Sequence, residues 1–550
     1  MTDFGFPKNL MPSLSCVCGN NPLILKEDGG NGFMTMEGKL VCPVCGQTFF
    51  ILNGIVDFFS VQKDLGINKD TKVEMGVRDK QAPEYDKRLG ERFEREIIPT
   101  FSAMDDLDGK TVVEYGSGTG RLTVELKEAE KVLAIDISKQ SLHILRQKLI
   151  SSGTKNVGLV WADVVNLRLA PFFFDSALSA QVYEHISTFV ERLKFLYSVK
   201  RTLKPSGSLV LSAYHCDIRR KFKRKLKEGH HSSGIFFHYF RKSEIKREIS
   251  AVFPKVRVTL IDISLPIIGG ILRSLHLEKA ISQIAGHIPV IKNLAHLVLV
   301  CATNDKFSVL SHSSFFITPL SRKYWFWFTK PFEFSGTAMT NFLSYDDSNL
   351  GGFHKKKGLT SIIDLNQTLE LVWSGMRDKF MRKQIEKGER NGIKVTQSSN
   401  FKEFEILYRK FRRKYSLPQD RVSLFKKRSF IFSAYYGGKL IAGGLFLGDG
   451  INMRAYALAS LRQSKSGRLR EIVGQANRMV IWEAIKFAHN TGHKSFDLGG
   501  INPNSPNPHQ VSLAEFKEAF GGTRCENYYY YKVYSPILRL WMRFRGFHNI

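Results

Sequence analysis

Long apolar runs and cysteines are both scarce in this sequence of 550 residues. No apolar stretch reaches the length of about 18 residues that a membrane-spanning helix needs. Residues 1–14 lack the charged start and the apolar run of a secretory signal. There are seven cysteines, and four of them lie in one N-terminal cluster, which is not the pattern of a disulfide framework. We therefore expect a cytoplasmic protein, with peripheral attachment to the inner face of a membrane as a further option.

Acidic residues are also in short supply, since 81 lysines and arginines outnumber 51 aspartates and glutamates. Residues 301–550 hold 39 basic and 19 acidic residues, so most of the excess lies there. Such a surface favours phosphate-bearing cofactors, an anionic membrane surface or, as a less favoured choice, nucleic acid. A generally basic proteome with solvated charges explains the balance equally well. The length predicts two to four domains, and a hydrophobic fraction of 43% is ample for their cores.

The most informative stretch is a run of glycines at every second position, Gly116, Gly118 and Gly120, directly after the β-rich residues 112–115. Glycines so placed let the backbone turn sharply and let a ligand lie against bare main chain. Asp136 follows 20 residues after the first glycine, at the end of an apolar strand. A carboxylate there can hold the two hydroxyls of a ribose. This segment therefore predicts an adenosine-cofactor site, and we expect a helix over residues 121–129.

With Glu114 before it, the glycine run resembles motif I of the class I S-adenosylmethionine-dependent methyltransferases. A nicotinamide site usually has Gly-x-Gly-x-x-Gly instead. Further segments follow in the family's order: a strand ending at Asp163, a strand and loop over 175–185, and a Pro-Gly turn into the strand at 203–211. The resemblance implies a doubly wound, Rossmann-like α/β sheet that binds S-adenosylmethionine. The cofactor-binding residues that it implies are Glu114, Gly116, Ser117, Gly118, Gly120, Asp136, Ile137, Asp163 and Gln181.

His185, in the loop after the fourth strand, is the candidate catalytic residue of this part of the chain. A histidine titrates near neutral pH and can take a proton from a substrate hydroxyl. It can equally cap a helix or pack beside the cofactor. Methyl transfer asks little of the protein, because the sulfonium is already electrophilic and catalysis comes mainly from positioning. The sequence therefore leaves the methyl acceptor open.

Two further segments of this region carry charge or apolar surface. Residues 219–227 form a dense basic run that can grip an anionic acceptor or a membrane face, although a solvated helix is the commoner outcome. Residues 262–292 read as an apolar helical insertion that can cover the acceptor pocket.

Four N-terminal cysteines form two knuckles, with Cys16 and Cys18 in the first and Cys42 and Cys45 in the second. Two knuckles about 25 residues apart can bind zinc tetrahedrally and hold together a module too small for its own core. The first knuckle has one residue between its cysteines, where the usual Cys-x-x-Cys has two. The alternative to a zinc site is therefore a reduced cysteine pair with an accidental neighbour. Together with the phrase at residues 53–58, the segment resembles the zinc-ribbon-like leader found ahead of some bacterial methyltransferase domains.

The last 240 residues follow a separate pattern of mixed strands and helices that is typical of an N-acetyltransferase-like fold. The ordinary acyl-CoA signature is not clean here, although residues 466–470 and 474–477 occupy roughly its place and could hold phosphates at a helix start. The acyl donor therefore stays open between an acyl-CoA and an aminoacyl-tRNA. The elements predicted are a basic helix over 377–390, a helix over 401–415, strands over 430–435, 440–447 and 453–458, and a helix over 474–490.

Two phrases of this region resemble the Fem-type acyltransferases of the GNAT superfamily. Residues 496–500 read Phe-Asp-Leu-Gly-Gly, and residues 513–522 read Leu-Ala-Glu-Phe-Lys-Glu-Ala-Phe-Gly-Gly. The resemblance implies that Lys517 lies near the acyl-transfer centre, where a lysine can stabilise an oxyanion. It also implies that Asp497 orients the acceptor amine or assists its deprotonation. A lysine on a helix surface and an acid on an edge strand are the plainer alternatives.

These patterns together predict three parts: a zinc-ribbon-like leader over 1–60, a methyltransferase domain over 61–305 and a mixed α/β, GNAT-like acyltransferase domain over 306–550. The function expected is a bifunctional transferase that methylates and acylates a small-molecule or glycan acceptor, such as a sugar or a cell-envelope precursor. One alternative is an RNA methyltransferase whose basic C-terminal half binds nucleic acid. The other is a methyltransferase with a catalytically inactive, acyltransferase-like binding module.

Overall fold

The computed structural model describes residues 4–64, 66–89, 94–104, 106–263, 291–304, 310–315, 322–334, 337–377, 379–398, 400–414, 422–426, 429–461 and 467–544. The chain divides into two units, Met1–Ser308 and Val309–Ile550, called unit 1 and unit 2 below. Within the described residues, no helix has both the length and the apolar character needed to cross a lipid bilayer.

Unit 1 combines one large sheet with helices and a small hairpin. Its strands are β1 (Phe6–Pro7), β2 (Ile24–Gly30), β3 (Met34–Val41), β4 (Thr48–Leu52), β5 (Ile55–Asp57), β6 (Thr111–Tyr115), β7 (Lys131–Asp136), β8 (Val157–Trp161), β9 (Phe174–Ala180), β10 (Leu203–Tyr214), β11 (Glu228–His230), β12 (Phe236–His238), β13 (Lys255–Ile263) and β14 (Ala295–Thr303). Its α-helices are α1 (Phe59–Asp64), α2 (Lys69–Leu89), α3 (Glu94–Phe101), α4 (Lys139–Ser152), α5 (Phe189–Thr202), α6 (Ile218–Phe222) and α7 (Lys242–Ser250). Short 3-10 helices lie at Lys8–Ser13, Thr123–Leu126, Tyr183–His185 and Ile291–Leu294.

The centre of the large sheet runs in the order β8-β7-β6-β9-β10-β14-β13. Its strands are parallel except β14, which is antiparallel to both of its neighbours. Parallel strands are covered on both faces and therefore read as continuous apolar runs, and all five residues of β6 are buried. The predicted parallel, Rossmann-like sheet is confirmed. Its strand order reverses beside β6, and in such sheets ligands bind outside the carboxyl ends of the strands at that point.

The leader extends this sheet. β5 pairs in parallel with β8, with Ile55 opposite Leu159 and Asp57 opposite Trp161, and β4 and β3 follow outward. A Cβ on Gly158 would lie 2.8 Å from the Phe6 ring, so the missing side chain on β8 lets the ring approach closely. The leader therefore shares its backbone hydrogen bonds with the strand that precedes Asp163.

The segment after the glycine run differs from the expectation. The helix predicted over residues 121–129 is only the 3-10 turn Thr123–Leu126. Thr123 points inward and donates to Glu114 Oε2 across 2.7 Å, and Leu126 is buried in the core, which suits a tight turn better than an extended helix. The insertion predicted over 262–292 lies mostly outside the described residues.

Unit 2 is built on a mixed sheet in the order β15-β16-β17-β24-β18-β23-β22-β21-β20-β19. Its strands are β15 (Leu310–Phe315), β16 (Arg322–Trp327), β17 (Met339–Ser344), β18 (His354–Asp364), β19 (Lys394–Gln397), β20 (Ser429–Tyr436), β21 (Lys439–Gly448), β22 (Asn452–Ser460), β23 (Ser495–Ile501) and β24 (Thr523–Val533). Its helices are α8 (Leu369–Ser374), α9 (Lys379–Arg390), α10 (Phe401–Lys414), the 3-10 helix Val422–Phe425, α11 (Gly467–Asn490), α12 (Pro508–Glu518) and α13 (Pro536–Phe544).

The elements predicted in unit 2 are present, with shifted ends. The predicted strand pair becomes β20 and β21, and the long helix α11 begins at Gly467, seven residues before the predicted start. Among the described pairs, β16 with β17 and β22 with β23 are parallel and the others are antiparallel. The sheet is of unassigned type, so the GNAT-like fold stays a prediction.

Candidate functional site

The glycine turn leaves the carboxyl end of β6 and folds back against β7. The amides of Gly116 and Ser117 both donate to the carbonyl of Ile135, at 2.8 and 2.9 Å. The φ angle of Gly116 is 80° and that of Gly118 is 54°, values that side-chain-bearing residues rarely adopt. A Cβ on Gly116 would also lie 2.1 Å from Val182 Cγ2. The turn therefore requires glycine for both conformation and space.

Asp136 ties this turn to the end of β7. Its Oδ2 accepts from the amide of Gly118 at 2.7 Å, and its Oδ1 accepts from the amide of Ser138 at 2.8 Å. Burial raises the pKa of Asp136 to about 6, although these two amides act in the opposite direction. A carboxylate oxygen has more than one acceptor position. The aspartate can therefore still accept two further hydrogen bonds from a ligand.

A cavity lies between these strand ends and α2. It comprises about 950 Å³ of space between atoms, including its open mouth. Seven of the residues predicted from the sequence line it: Gly116, Gly118, Asp136, Ile137, Asp163, Gln181 and His185. Helix α2 supplies the facing wall through Thr71, Glu74, Arg78, Gln81, Ala82 and Tyr85. Thr119, Val164, Val165, Ser187 and Glu191 are among the remaining lining residues.

We call α2 the lid helix, because polar contacts fasten it over the glycine turn. Asp79 Oδ1 accepts from Ser138 Oγ at 2.7 Å, and Asp86 Oδ1 accepts from Thr119 Oγ1 at 2.6 Å. These two aspartates are seven residues apart, about two helical turns, and so lie on one face. Just before the helix, Asn68 donates to the α5 carboxylate of Glu191 at 3.0 Å. The polar, charged residues 61–100 predict a linker with helices, in which Tyr85 and the helix after it could form a lid. In the structure Tyr85 lies within α2 itself. The contacts of Asp79 and Asp86 were not singled out, although their seven-residue spacing was a signal.

His185 lies in the cavity wall with both ring nitrogens engaged. Nδ1 lies 2.7 Å from the carbonyl of Phe236, and Nε2 lies 3.0 Å from a guanidinium nitrogen of Arg78. Because a carbonyl accepts and a guanidinium donates, this network assigns a neutral ring with its proton on Nδ1. Burial, with the charge of Arg78, lowers the pKa of His185 to about 3. In this arrangement the ring has no free nitrogen for a substrate proton, so its catalytic role stays a prediction that the geometry does not favour.

Asp163 and Gln181 are held by residues distant in sequence. The amide of Asp163 donates to Gln62 Oε1 of α1 at 2.8 Å, and Gln62 Nε2 donates to the carbonyl of Asp163 at 3.0 Å. Its carboxylate accepts from the amide of Val165 at 3.0 Å. Gln181 donates to Glu96 at 2.6 Å. Helices α1 and α3 therefore position two residues of the cavity wall.

Three predicted cofactor residues, Glu114, Ser117 and Gly120, are not among the cavity-lining residues. Burial raises the pKa of Glu114 to about 7, and its carboxylate faces the 3-10 turn described above. Ser117 is buried. A Cβ on Gly120 would lie 2.2 Å from Leu145 of α4, so this glycine allows the turn to pack against that helix. These three residues therefore support the conformation of the glycine turn without lining the cavity.

Glu184, beside His185, was not singled out by its sequence. It is fully buried, and neither carboxylate oxygen has a hydrogen-bond partner within the described chain. Burial raises its pKa well above the ordinary range, with the nearby carboxylates of Glu96 and Glu74 acting in the same direction. A buried carboxyl without partners is costly, so ionisation of this side chain should destabilise the folded chain.

The four N-terminal cysteines lie together. Their sulfur atoms all lie within 4.8 Å of one another, with 3.4 Å between those of Cys16 and Cys45 and 3.6 Å between those of Cys18 and Cys42. Zinc bound tetrahedrally at about 2.3 Å places its sulfur ligands about 3.8 Å apart. The cluster could therefore hold zinc, whose part there would be to stabilise the leader.

Asp497 of unit 2 is buried at the centre of a polar cluster. It forms an ion pair with Arg454 and accepts from Thr360 Oγ1, from Tyr345 OH at 2.7 Å and from the amide of Gly499 at 2.7 Å. With four donors around two oxygens, the carboxylate has little capacity left for a substrate amine. The predicted role in deprotonation stays untested, and the geometry favours a positioning role.

Lys517 lies on α12 and is half-buried. It contacts Gly499 and Gly500 of strand β23. Its Nζ donates to the carbonyl of Gly500 at 2.8 Å, and a Cβ on Gly499 would lie 3.2 Å from the same nitrogen. Burial, together with the charge of Arg454, lowers the pKa of Lys517 to about 8. The lysine and Asp497 are thus both placed near Gly499 of β23, and the role of the lysine in acyl transfer stays a prediction.

The first unit contains a class I S-adenosylmethionine-dependent methyltransferase domain, since residues 113–211 match the family model described as a methyltransferase domain. This match spans the glycine turn, Asp136, Asp163 and the loop of His185. It confirms the expected methyltransferase domain, whose predicted bounds of 61–305 stay a prediction. Nothing in the comparisons supports the acyltransferase resemblance, which stays a prediction.

Individual relatives agree over part of their length. The chain is 30% identical over 129 residues to the cypemycin N-terminal methyltransferase of Streptomyces sp, covering 23% of this chain and 50% of that protein. It is 30% identical over 105 residues to the ubiquinone/menaquinone biosynthesis C-methyltransferase UbiE of Wigglesworthia glossinidia brevipalpis, covering 18% and 41%. The chain thus spans half or less of these relatives. A solved S-adenosylmethionine-dependent methyltransferase from Mesorhizobium loti matches at 16% identity with a TM-score of 0.29, over 38% of this chain and 96% of that one.

Proposed function

We propose that unit 1 transfers the methyl group of S-adenosylmethionine to an acceptor bound under the lid helix. The observation that carries the proposal is the meeting of Gly118 and Asp136 at the cavity wall. A Cβ on Gly118 would meet no described atom within 4 Å, so the bare main chain faces open space beside the carboxylate. Asp136 would accept hydrogen bonds from the ribose hydroxyls, and the apolar Ile137, Val164 and Val165 would flank the adenine.

The cofactor supplies an electrophilic methyl group on a sulfonium, so the residues of the chain need mainly to bind and orient. In the proposed complex the lid helix excludes water from one side of the cavity through Tyr85 and Ala82. Its polar residues Glu74, Arg78 and Gln81 face the acceptor side. His185 stays neutral and holds Arg78 in place, which makes it a positioning residue.

For the acceptor we propose a small molecule or glycan, such as a sugar or a cell-envelope precursor. The two relatives, an N-terminal methyltransferase and a C-methyltransferase, are named for methyl transfer to different positions. The acceptor is therefore inferred from the polar wall of the lid helix, which suits a molecule rich in hydroxyl groups.

For unit 2 we propose acyl transfer to an amine from an acyl-CoA or an aminoacyl-tRNA. The amine nitrogen would form a bond to the acyl carbon, and the carbon–sulfur or carbon–oxygen bond of the donor would break. The proton lost by the amine would pass through water to the departing sulfur or oxygen. Lys517 supports this proposal, because a cation on a strand end with a pKa of about 8 can stabilise the oxyanion of such a step. Arg454 and Asp497 would fix the strand end beneath it.

Two measurements on the full-length protein test these proposals separately. Calorimetry with S-adenosylhomocysteine should show binding that Asp136→Ala weakens at least about tenfold, and unchanged affinity would refute the cofactor site. Donor turnover should vanish in Lys517→Ala and persist in Asp136→Ala. Turnover that survives Lys517→Ala would refute the role of Lys517. Turnover that is absent from the wild-type protein would count against the acyltransferase and favour an inactive binding module.

A second candidate function is methyl transfer to RNA, which the excess of basic residues in 301–550 favours. It predicts salt-sensitive binding of unrelated RNA. Filter binding at low salt tests it, and mass spectrometry of envelope extracts from cells with and without the gene tests the preferred acceptor. A mass difference of a methyl group, an acyl group or both would support the envelope precursor.

A further inference from the structure

A short turn on unit 1 exposes apolar and basic side chains together. We call residues 222–226, which read Phe-Lys-Arg-Lys-Leu, the basic turn. Phe222 is 83% exposed and Leu226 is 73% exposed. Lys223, Arg224 and Lys225 between them are exposed as well, and within the described chain none of these three pairs with an acid.

The base of the basic turn is firmly anchored. Arg220, two residues before it, stacks on the ring of Tyr239 at 3.4 Å and donates to the carbonyl of Leu226 at 2.9 Å. Lys227, directly after it, forms an ion pair with Glu244 at 2.5 Å. Arg224 at the tip has a φ of 48°, which a residue with a side chain adopts only when its surroundings hold it. The apolar side chains are therefore presented to solvent by a fixed structure.

The basic turn is close in the chain to the lid helix. It leads through Lys227 into strand β11, where His230 contacts Asp70 of the lid helix at 3.1 Å. Asp70 directly precedes Thr71, which lines the cavity. The ring of Tyr239, on which Arg220 stacks, in turn stacks on the ring of Tyr214, with 5.0 Å between the ring centroids. A partner that binds the basic turn would therefore lie near the start of the lid helix.

We propose that the basic turn docks unit 1 onto an anionic membrane surface. Residues 218–227 contain no acid, so this stretch is attracted to anionic headgroups. Phe222 and Leu226 would enter the boundary between headgroups and acyl chains, which removes their apolar surface from water. The inference goes beyond the proposed methyl transfer, because vesicle binding can be measured without an acceptor.

A membrane explains the basic turn better than a nucleic acid does. Phosphates of either partner would satisfy the lysines and the arginine. A nucleic acid offers stacking for an aromatic ring, but it offers little to an exposed leucine. The pairing of Leu226 with Phe222 on either side of the cations is the pattern of an interfacial membrane segment.

Sedimentation of the full-length protein with vesicles tests the proposal. Phosphatidylglycerol mixed into phosphatidylcholine vesicles should bind the protein, and phosphatidylcholine alone should bind it weakly. Phe222→Ser with Leu226→Ser should lower the partition coefficient about tenfold or more. Lys223→Glu with Lys225→Glu should lower it at least about 25-fold, from about fivefold for each cation lost and further repulsion. Matched controls are Phe33→Ser, an 86% exposed phenylalanine of the leader, and Lys127→Glu with Lys155→Glu.

Three outcomes decide the matter. Loss of vesicle binding in both basic-turn variants, with the controls within about twofold of wild type, supports the proposal. Wild-type protein that fails to distinguish anionic from neutral vesicles overturns it. Binding of a single-stranded RNA probe that depends on Lys223 and Lys225 but not on Phe222 and Leu226, without vesicle binding, overturns it in favour of nucleic acid. Unchanged affinity for S-adenosylhomocysteine and an unchanged unfolding midpoint show that each variant is folded, and if the serine pair fails this check, Lys223→Gln with Lys225→Gln carries the test.

Discussion

The amide of Gly118 donates to Asp136 Oδ2 across 2.7 Å. This hydrogen bond joins the turn after β6 to the end of β7. The carboxylate is thereby oriented, and its remaining acceptor capacity faces the cavity. The same carboxylate is buried, so its protonation and its use by a ligand are linked.

This linkage predicts a pH dependence of cofactor binding. With its pKa raised to about 6 by burial, Asp136 is protonated below that pH and charged above it. Ribose hydroxyls donate best to the charged form, so affinity for S-adenosylhomocysteine should rise with pH and level off above about pH 7. We expect about tenfold weaker binding at pH 5 than at pH 7. Calorimetry at both values measures this difference.

Asp136→Asn is the matched control, because it keeps the shape and removes the titration. It should bind weakly at both pH values, with little change between them. Glu74, whose pKa burial also raises, stays in this variant and would account for any residual slope. A slope equal to that of the wild type would show that the binding proton belongs elsewhere.

Closure of the lid helix should depend on its two aspartates. Asp79→Ala with Asp86→Ala removes the hydrogen bonds to Ser138 and Thr119, each worth about 1 kcal/mol or somewhat more. We expect affinity for S-adenosylhomocysteine to fall about tenfold and amide exchange in residues 69–89 to accelerate. Lys87→Ala, which removes an exposed ion pair with Glu84 on the same helix, should change neither. Unaltered exchange in the double variant would mean that other contacts hold the helix.

Glu184 should cost stability at high pH. Its folded-state pKa is raised by burial, so the folded form holds the proton more tightly than the unfolded form. Stability contributed by the protonated carboxyl is therefore complete below the ordinary pKa and is lost as the pH rises. Glu184→Gln cannot ionise and should unfold at a higher temperature than the wild type, by a margin that widens from pH 5 to pH 8. A margin that is constant with pH would contradict the assignment.

Part of this site could be predicted from the sequence because its residues are close in the chain. The glycine run follows β6 and Asp136 ends β7, and the parallel pairing of these two strands brings them together whatever the rest of the chain does. His185 could be placed in the cavity wall for the same reason. Its neutral state could not be predicted, because it depends on Arg78, which lies 107 residues earlier in the chain.

The packing of the lid helix and the pairing of the leader could not be predicted from the sequence, for different reasons. The lid helix has no apolar stripe, and the contacts described for it are made largely by polar side chains such as Asp79 and Asp86, so hydrophobic periodicity gives no indication of where it packs. Strand β5 is three residues long, too short for its alternation to specify a partner. In unit 2, Lys517 and Asp497 lie on elements that are close in the chain, whereas the ion pair with Arg454 that occupies the acid depends on a strand 43 residues away.

If the cysteine cluster holds zinc, loss of the metal should weaken binding at the cofactor site. The leader joins the sheet through β5, and Gln62 of α1 holds Asp163 by two main-chain hydrogen bonds. Cys45→Ser removes one of four sulfur ligands, so we expect loss of bound zinc, a lower unfolding midpoint by at least about 5 °C, and weaker binding of S-adenosylhomocysteine by several fold. Atomic emission, thermal unfolding and calorimetry measure the three effects. Cys525→Ser, a thiol of unit 2 with intermediate exposure, should change none of them. Wild-type protein purified without zinc, or Cys45→Ser with wild-type cofactor affinity, would show that the cluster does not support the site in this way.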